Sequence, residues 1–349
     1  MIQNFNNIEV EKEIYNDIKK ILLKIKYCRS KSAFESLTEE LNSLYLLCDE
    51  YDLPFFEIPE KYISRGITIE DNDIKRKIYI NQQERFANYI MENDDHFMDF
   101  SNQTSLFDDM YFDVDNIKYT KINDINIIID YAKEFMTYYD KRFIDAFNEL
   151  DNNNHILMAP KSVFDLYEAV FIPTKYCNYP YMGIYFNGNI DDSSSIVHEI
   201  AHMINFKFAN NNLKTRNYPY YYQEVYSHYA QLVFYDFMKK KNIYNQDIDN
   251  SFKSTMSLLG SNLASINYTF ESGEYDCLED LYGDIQYGYG IALALKYYDM
   301  YKEDSDKAKY FSEQFIEQSY HYEPIETLDK FGLNKEELIS GELIKKYIK

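Results

Sequence analysis

The residues best able to do chemistry lie in one short segment, residues 195–206, which reads SIVHEIAHMINF. It is largely apolar but contains His198, Glu199 and His202 in the spacing HExxH. Residues four apart share one face of a helix, so both imidazoles can direct a nitrogen at a single Zn²⁺. Burying two histidines on such a helix without partners is costly. The alternative, a chance pattern on a core helix, leaves them unexplained, so the segment predicts one zinc ion per chain.

A catalytic zinc usually takes three protein ligands and keeps one position for water, so a third ligand must come from elsewhere. We predict Glu224, 22 residues after His202, in a helix over residues 220–240 that follows a polar loop. His228, four residues further on the same helix face, is the rival third ligand. We expect His228 instead to contact one of the metal ligands, or to be an ordinary buried core residue. We also expect Ser227 to contact a metal ligand.

These residues together predict metal-assisted hydrolysis of peptide bonds. Zinc lowers the pKa of a bound water towards about 7, so that Glu199 can accept its proton at neutral pH. Glu199 would then pass that proton to the leaving amine as general acid.

The composition favours a mainly α-helical fold, because only 10 Gly and 7 Pro interrupt 349 residues of which 46% are hydrophobic. Apolar residues at helical spacing predict a hairpin of helices over residues 8–51, a helix over 75–91 and another over 123–150. Residues 93–116 are polar and predict a loop between a helical lobe, 1–118, and a catalytic domain, 119–349. The segment YMGIYFNGNI at 181–190 predicts a strand and an Asn-Gly turn beside the motif helix.

The formal net charge of −22 argues against nucleic acid and anionic lipid as partners, since like charges repel. We see no apolar stretch long enough to cross a membrane and no signal-peptide pattern. The four cysteines lack CxxC spacing, which argues against disulfides and thiolate metal sites. A cytoplasmic protein is the expectation.

Several segments resemble the M3 peptidases, which include thimet oligopeptidase and oligoendopeptidase F. They are PYMGIYFNGNIDDSSSIVHEIAH, QEVYSHYAQ and the closing QSYHYEPIETLDKFGLNKEEL. The resemblance spans about residue 122 to the C-terminus. It implies a zincin-type helical peptidase with a small β-sheet beside the HExxH helix and a central cleft, acting on oligopeptides or small proteins. It also favours Glu224 over His228 as the third ligand.

The same resemblance implies that tyrosines of YGDIQYGY face the substrate. Tyr282 and Tyr289 would bind substrate and stabilise the oxyanion, with Tyr287 between them. Two positions depart from the family pattern. Cys277 replaces a histidine, which puts substrate positioning in doubt, and Gln231 replaces a glutamate that would orient a ligand histidine.

Gly183 and Tyr185 lie in the predicted strand, which could bind a peptide by adding it as an extra strand. The chain is shorter than the usual family member at its N-terminal side, which predicts a more open cleft. Two other functions stay open: a catalytically weakened zinc-binding module that captures peptides, and a carboxypeptidase-like relative. The sequence does not indicate an oligomeric state.

Overall fold

The computed structural model describes residues 87–107, 117–153, 155–160, 169–172, 180–210, 222–272, 278–319, 322–331 and 335–348, with isolated positions between 13 and 44. The described helices are α1 Asp94–Ser101, α2 Ile125–Tyr139, α3 Lys141–Asn152, α4 Asp191–Asn210, α5 Gln223–Lys241, α6 Asn245–Ser272, α7 Leu278–Glu303, α8 Ser305–Ser319, α9 Pro324–Lys330, α10 Lys335–Ile339 and α11 Glu342–Lys345. A 3₁₀ turn, Asn102–Leu106, follows α1. Among the described helices, none combines the length and apolar character needed to cross a membrane.

A small sheet accompanies the helices. Its strands are β1 Ile156–Pro160, β2 Ala169–Ile172 and β3 Tyr181–Phe186, in the order β1-β3-β2. Strand β3 pairs parallel with β1 and antiparallel with β2. The motif helix α4 packs against β2 and β3. The predicted fold class, mainly helical with a small sheet beside the motif helix, is therefore confirmed.

The motif helix lies in the middle of the core. Its apolar residues Ile196, Val197, Ile200 and Ala201 are fully buried. It packs against α2, α3 and α5, and α5 packs in turn against α7. Because α5 is covered on nearly all sides, its residues Glu224 to Ala230 are all buried. The two helices that carry the predicted ligands are thus neighbours held by core packing.

Two helix predictions need correction. Residues 123–150 form two helices, because Asp140 has an extended backbone, with φ −161° and ψ 124°, that ends α2. Its carboxylate accepts a hydrogen bond from the backbone N–H of Arg142 at 2.8 Å and so caps α3.

The loop predicted for residues 93–116 is wrong at its start, where α1 buries Phe97 and Phe100 against α6.

The structure describes only part of the N-terminal segments for which the sequence predicts helices. Described positions between 13 and 24 and between 32 and 44 are helical, and Ile21, Leu41 and Leu44 are buried. The rest of the predicted hairpin and residues 75–86 lie outside the described residues. The division into a lobe at 1–118 and a catalytic domain at 119–349 stays a prediction, although α1 packs against α6 and α10 beyond that boundary.

Candidate metal centre

The turn between β3 and α4 fixes where the motif helix begins. The buried carboxylate of Asp192 accepts hydrogen bonds from the backbone N–H groups of Asn187, Gly188 and Asn189 at 3.0, 2.8 and 3.2 Å. Gly188 has φ +80°, a conformation that glycine adopts without strain. Burial raises the pKa of Asp192, while the three N–H groups oppose that rise. The predicted Asn-Gly turn and the start of α4 are thus joined by one side chain.

The two histidines of the motif lie one helical turn apart and face the same side. Their Nε2 atoms are 3.1 Å apart, and their ring centroids are 4.8 Å apart. Each side chain keeps 12% of its surface exposed, although the neighbouring residues of α4 are buried. Both imidazoles therefore present a nitrogen to one shared point that can be reached from outside the core.

Glu224 on α5 brings its carboxylate to that point. Its Oε2 atom lies 3.1 Å from His198 Nε2 and 3.4 Å from His202 Nε2. Ser227 Oγ lies 3.1 Å from the same oxygen and can donate to it. Burial opposes the ionisation of Glu224, but the charge of His202 and hydrogen bonds from both imidazoles lower its pKa well below the usual value. Glu224 is thus held as a carboxylate.

Close contacts on both sides of α5 set the position of Glu224. Asn205 Nδ2, on α4, donates to the backbone oxygen of Gln223 at 3.0 Å. On the other side, Gly290 of α7 lies so close that a Cβ built there would be 2.5 Å from the Cβ of Glu224. Neither residue was predicted. A glycine inside a long helix is a signal of close packing, but α7 holds Gly283 and Gly288 as well as Gly290, and the sequence does not tell them apart. Nothing in the sequence distinguishes Asn205 among so many asparagines.

Glu199 is a buried carboxyl group beside the three candidate metal ligands His198, His202 and Glu224, which we call the ligand cluster. Its pKa is raised from 4.5 to about 7, chiefly by burial. The charge of His198 opposes this rise, and the charge of Glu224 adds to it. A carboxyl group with a pKa near neutrality is suited to accept and return a proton. A divalent cation bound next to it would lower that pKa by stabilising the charged form.

His228 also reaches the cluster. The ligand atoms of His198, Glu224 and His228 all lie within 4.8 Å of one another, and His228 Nε2 is 4.0 Å from Glu224 Oε2. Its Nδ1 lies 3.1 Å from Gln231 Oε1. Burial lowers the pKa of His228 to about 3, assisted by the charge of His198. Gln231, noted above as a departure from the family pattern, therefore contacts His228.

The three predicted tyrosines have different surroundings. The charge of Glu224, burial and the charge of Glu199 raise the pKa of Tyr287 well above 10, and its ring centroid is 5.8 Å from that of His228. Tyr287 therefore stands next to the cluster with its hydroxyl protonated. The structure thus brings Tyr287 near both carboxylates.

Tyr289 and Tyr282 make other contacts. The hydroxyl of Tyr289 is buried and lies 2.6 Å from Nε2 of His96 on α1, while its ring stacks on Phe100. Tyr282 accepts a hydrogen bond from Gln286 at 2.7 Å. A role in catalysis stays a prediction for both, and the contact with His96 argues against it for Tyr289.

Gly183 lies in the centre of the sheet, where it pairs with Leu157 of β1 and Val170 of β2. Since both edges of β3 are occupied there, the prediction that a peptide adds to this strand at Gly183 is wrong. At Tyr185 and Phe186 the described residues pair β3 with β1 alone, so pairing of a peptide on the other side of these two residues stays a prediction. Of Tyr185 the structure describes the backbone in β3 but not the side chain, so substrate binding by its ring stays a prediction. Cys277 lies outside the described residues.

The fold is similar to that of two solved structures. The chain matches a proposed oligoendopeptidase F from Bacillus anthracis strain Ames at 16% identity and a TM-score of 0.52, over 97% of this chain and 72% of that one. It matches a second proposed oligoendopeptidase F at 12% identity and a TM-score of 0.53, over 96% and 79%. No protein-family model and no curated protein matches the sequence. At these identities the likeness shows a shared fold.

The ligand cluster fits a zinc ion by its spacing and its chemistry. Ligands bound at about 2.0–2.2 Å in a tetrahedron lie roughly 3.4 Å apart. The His198, His202 and Glu224 ligand atoms are separated by 3.1, 3.1 and 3.4 Å. Two imidazoles and a carboxylate are a donor set that zinc prefers in hydrolytic sites.

Proposed function

We propose that this protein is a zinc-dependent endopeptidase of the M3 type that hydrolyses internal bonds of oligopeptides or small proteins. The observation that carries the proposal is the convergence of His198, His202 and Glu224, with ligand atoms 3.1–3.4 Å apart. Two packed helices supply these groups, so the cluster is a built feature of the core. The fold that the chain shares with oligoendopeptidase F structures supports the same conclusion.

When bound, zinc would activate a water molecule and polarise the scissile carbonyl group. Glu199 is then the residue that moves the proton. Its carboxylate accepts a proton from the attacking water and returns it to the nitrogen of the leaving amine. Its buried position next to His198 in the chain, within the influence of the Glu224 charge, supports this role.

Tyr287 is the proposed donor to the carbonyl oxygen as negative charge develops on it. Its hydroxyl stays protonated, since the charges of Glu224 and Glu199 and burial raise its pKa. A preorganised hydroxyl beside the reacting bond stabilises the oxyanion. Ser227 Oγ lies 3.1 Å from Oε2 of the Glu224 carboxylate and can donate to it.

Cleavage of a quenched fluorescent peptide by the zinc-loaded chain and by Glu199→Gln tests the proposal. We expect the variant to lose about 10²–10⁴-fold in rate, the contribution of a general base. Glu336→Gln is the matched control, because Glu336 is exposed on α10 and should leave the rate unchanged. Equal rates for Glu199→Gln and the control would contradict the mechanism.

Mass spectrometry of the products distinguishes this proposal from the two alternatives. Internal cleavage yields two fragments of intermediate length. Successive loss of single C-terminal residues would indicate a carboxypeptidase instead. Tight binding of an intact peptide without any products would indicate a peptide-capture module.

A further inference from the structure

His228 has a buried nitrogen that the mechanism above does not use. Its Nε2 atom has no hydrogen-bond partner in the part of the chain that the structure describes. It lies 4.0 Å from Glu224 Oε2, and its ring centroid is 4.8 Å from that of His198. Leaving a buried nitrogen unsatisfied costs about 1–3 kcal/mol. An atom of this kind next to a ligand cluster calls for a partner.

A chain of hydrogen bonds fixes the tautomer of this imidazole. Ser194 Oγ donates its single proton to Asp191, whose backbone oxygen is at 2.8 Å and carboxylate at 3.0 Å. Ser194 must therefore accept the hydrogen bond from Gln231 Nε2 at 3.2 Å. With its Nε2 group facing Ser194, the Gln231 amide turns Oε1 towards His228 Nδ1 at 3.1 Å. Because Oε1 can only accept a hydrogen bond, Nδ1 carries the hydrogen. In the neutral imidazole the Nε2 atom is then left with its lone pair.

Two acceptors then face each other without a donor between them. Neither the lone pair of His228 Nε2 nor the carboxylate oxygen of Glu224 can satisfy the other, whereas a cation satisfies both. Two atoms bound to one zinc at about 2.1 Å can be at most about 4.2 Å apart. The separation of 4.0 Å falls within that limit. The ligand atoms of His228 and His198 lie within 4.8 Å of each other.

We propose, on the basis of the zinc site of the proposed function, that His228 is a fourth protein ligand of the ion. His198, His202, Glu224 and His228 would then hold the ion, and catalytic zinc can accommodate one further ligand such as water. Gln231 acts as a positioning residue, because its carbonyl oxygen orients the ring and keeps the hydrogen on Nδ1.

Zinc X-ray absorption of the loaded chain counts the imidazoles directly. We expect three in the wild type and two in His228→Asn. Competition with a chromophoric chelator should show that His228→Asn binds zinc at least tenfold more weakly, since even an indirect partner of a ligand is worth about 10–100-fold. Circular dichroism of the metal-free proteins checks that both are folded.

Gln231→Glu gives a second test that keeps the histidine. A carboxylate accepts the Nδ1 hydrogen more strongly than an amide and makes Nε2 a more basic, stronger metal ligand. Zinc affinity should therefore rise severalfold. Gln246→Glu, which adds the same charge at an exposed position on α6, should leave it unchanged.

The outcomes separate the two proposals. Two imidazoles in the wild type, with unchanged affinity in His228→Asn and Gln231→Glu, would overturn the role of His228 and leave the peptidase intact. A wild-type chain that binds no stoichiometric zinc, or a His198→Ala variant that binds it equally well, would overturn the proposed function itself.

Discussion

Gly290 and Glu224 are in van der Waals contact across the interface between α7 and α5. A Cβ atom at position 290 would meet the Cβ, carbonyl carbon and Cα of Glu224 at 2.5, 3.1 and 3.3 Å. Two of these neighbours are backbone atoms, so a side-chain rotation cannot relieve the overlap. The absence of a side chain on α7 thus sets how far Glu224 extends towards the two histidines.

Gly290→Ala should therefore push α5 away from α7 and misplace the Glu224 carboxylate. We expect a loss of about 1–3 kcal/mol in the free energy of unfolding, as for other overpacked cores, and at least tenfold weaker zinc binding. Urea denaturation and chelator competition measure the two effects.

Gly283→Ala is the control on the same helix. No atom lies within 4 Å of a Cβ built at Gly283. Alanine is about 1 kcal/mol better than glycine inside a helix, so this variant should be equally or more stable, with unchanged zinc affinity. If both variants behaved alike, Gly290 would have no role in placing Glu224.

Glu199 should make the metal-free chain less stable as the pH rises. Its folded-state pKa of about 7 exceeds the ordinary value of 4.5. Between these values the folded state binds more protons than the unfolded state, so stability falls with pH. Below pH 4.5 the carboxyl is protonated in both states and contributes nothing. Glu199→Gln mimics the protonated form.

We therefore expect metal-free Glu199→Gln to be about 1–3 kcal/mol more stable than the wild type at pH 8 and equally stable at pH 4. Urea denaturation at the two pH values measures the difference. Equal stability at pH 8 would mean that Glu199 ionises freely in the folded chain. The same variant would still be expected to lose activity, because it cannot accept a proton.

Asp140 should contribute stability that depends on pH in the opposite sense. Burial opposes its ionisation, but hydrogen bonds from Arg142 and Lys309 outweigh it and lower its pKa from 3.8 to about 2. The contribution is complete above pH 3.8 and is lost as the pH falls through about 2. Asp140→Asn should cost about 1–3 kcal/mol at pH 7 in thermal or urea unfolding.

Asp145→Asn, within the helix that Asp140 caps, is the matched control. Asp145 pairs with Lys141 at 3.8 Å, but both side chains are mostly exposed, so the pair contributes little. The variant should stay within about 0.5 kcal/mol of the wild type. Equal effects of the two substitutions would contradict a special role for Asp140.

The ligand helices could be predicted because their signals are local. HExxH, the apolar residues around it and the spacing to Glu224 depend only on helical periodicity, and α4 and α5 agree with them. The break at Asp140 was not predictable in this way, because the apolar pattern continues through it. Helix α1 was hidden by its polar composition, although Phe97 and Phe100 anchor it in the core.

Orientation around a helix was harder to predict than position along it. Residues two apart on a helix differ by about 200° in direction, so the spacing of YGDIQYGY cannot decide which tyrosine faces the ligands. The packing of α7 against α5 and α1 decides it: Tyr287 lies near His228, and Tyr289 contacts His96. That packing depends on contacts far apart in the sequence.

The two tyrosines should therefore respond differently to loss of the hydroxyl group. Tyr287→Phe removes a donor beside the carboxylates, so kcat should fall about 10²–10³-fold with little change in KM or stability. Tyr289→Phe removes the hydrogen bond to His96, so it should lower the free energy of unfolding by about 1–3 kcal/mol and leave kcat unchanged. Steady-state kinetics and urea denaturation of both variants test this pair. A large loss of kcat in Tyr289→Phe alone would return the oxyanion role to Tyr289, because the phenol would then have to leave His96 during turnover.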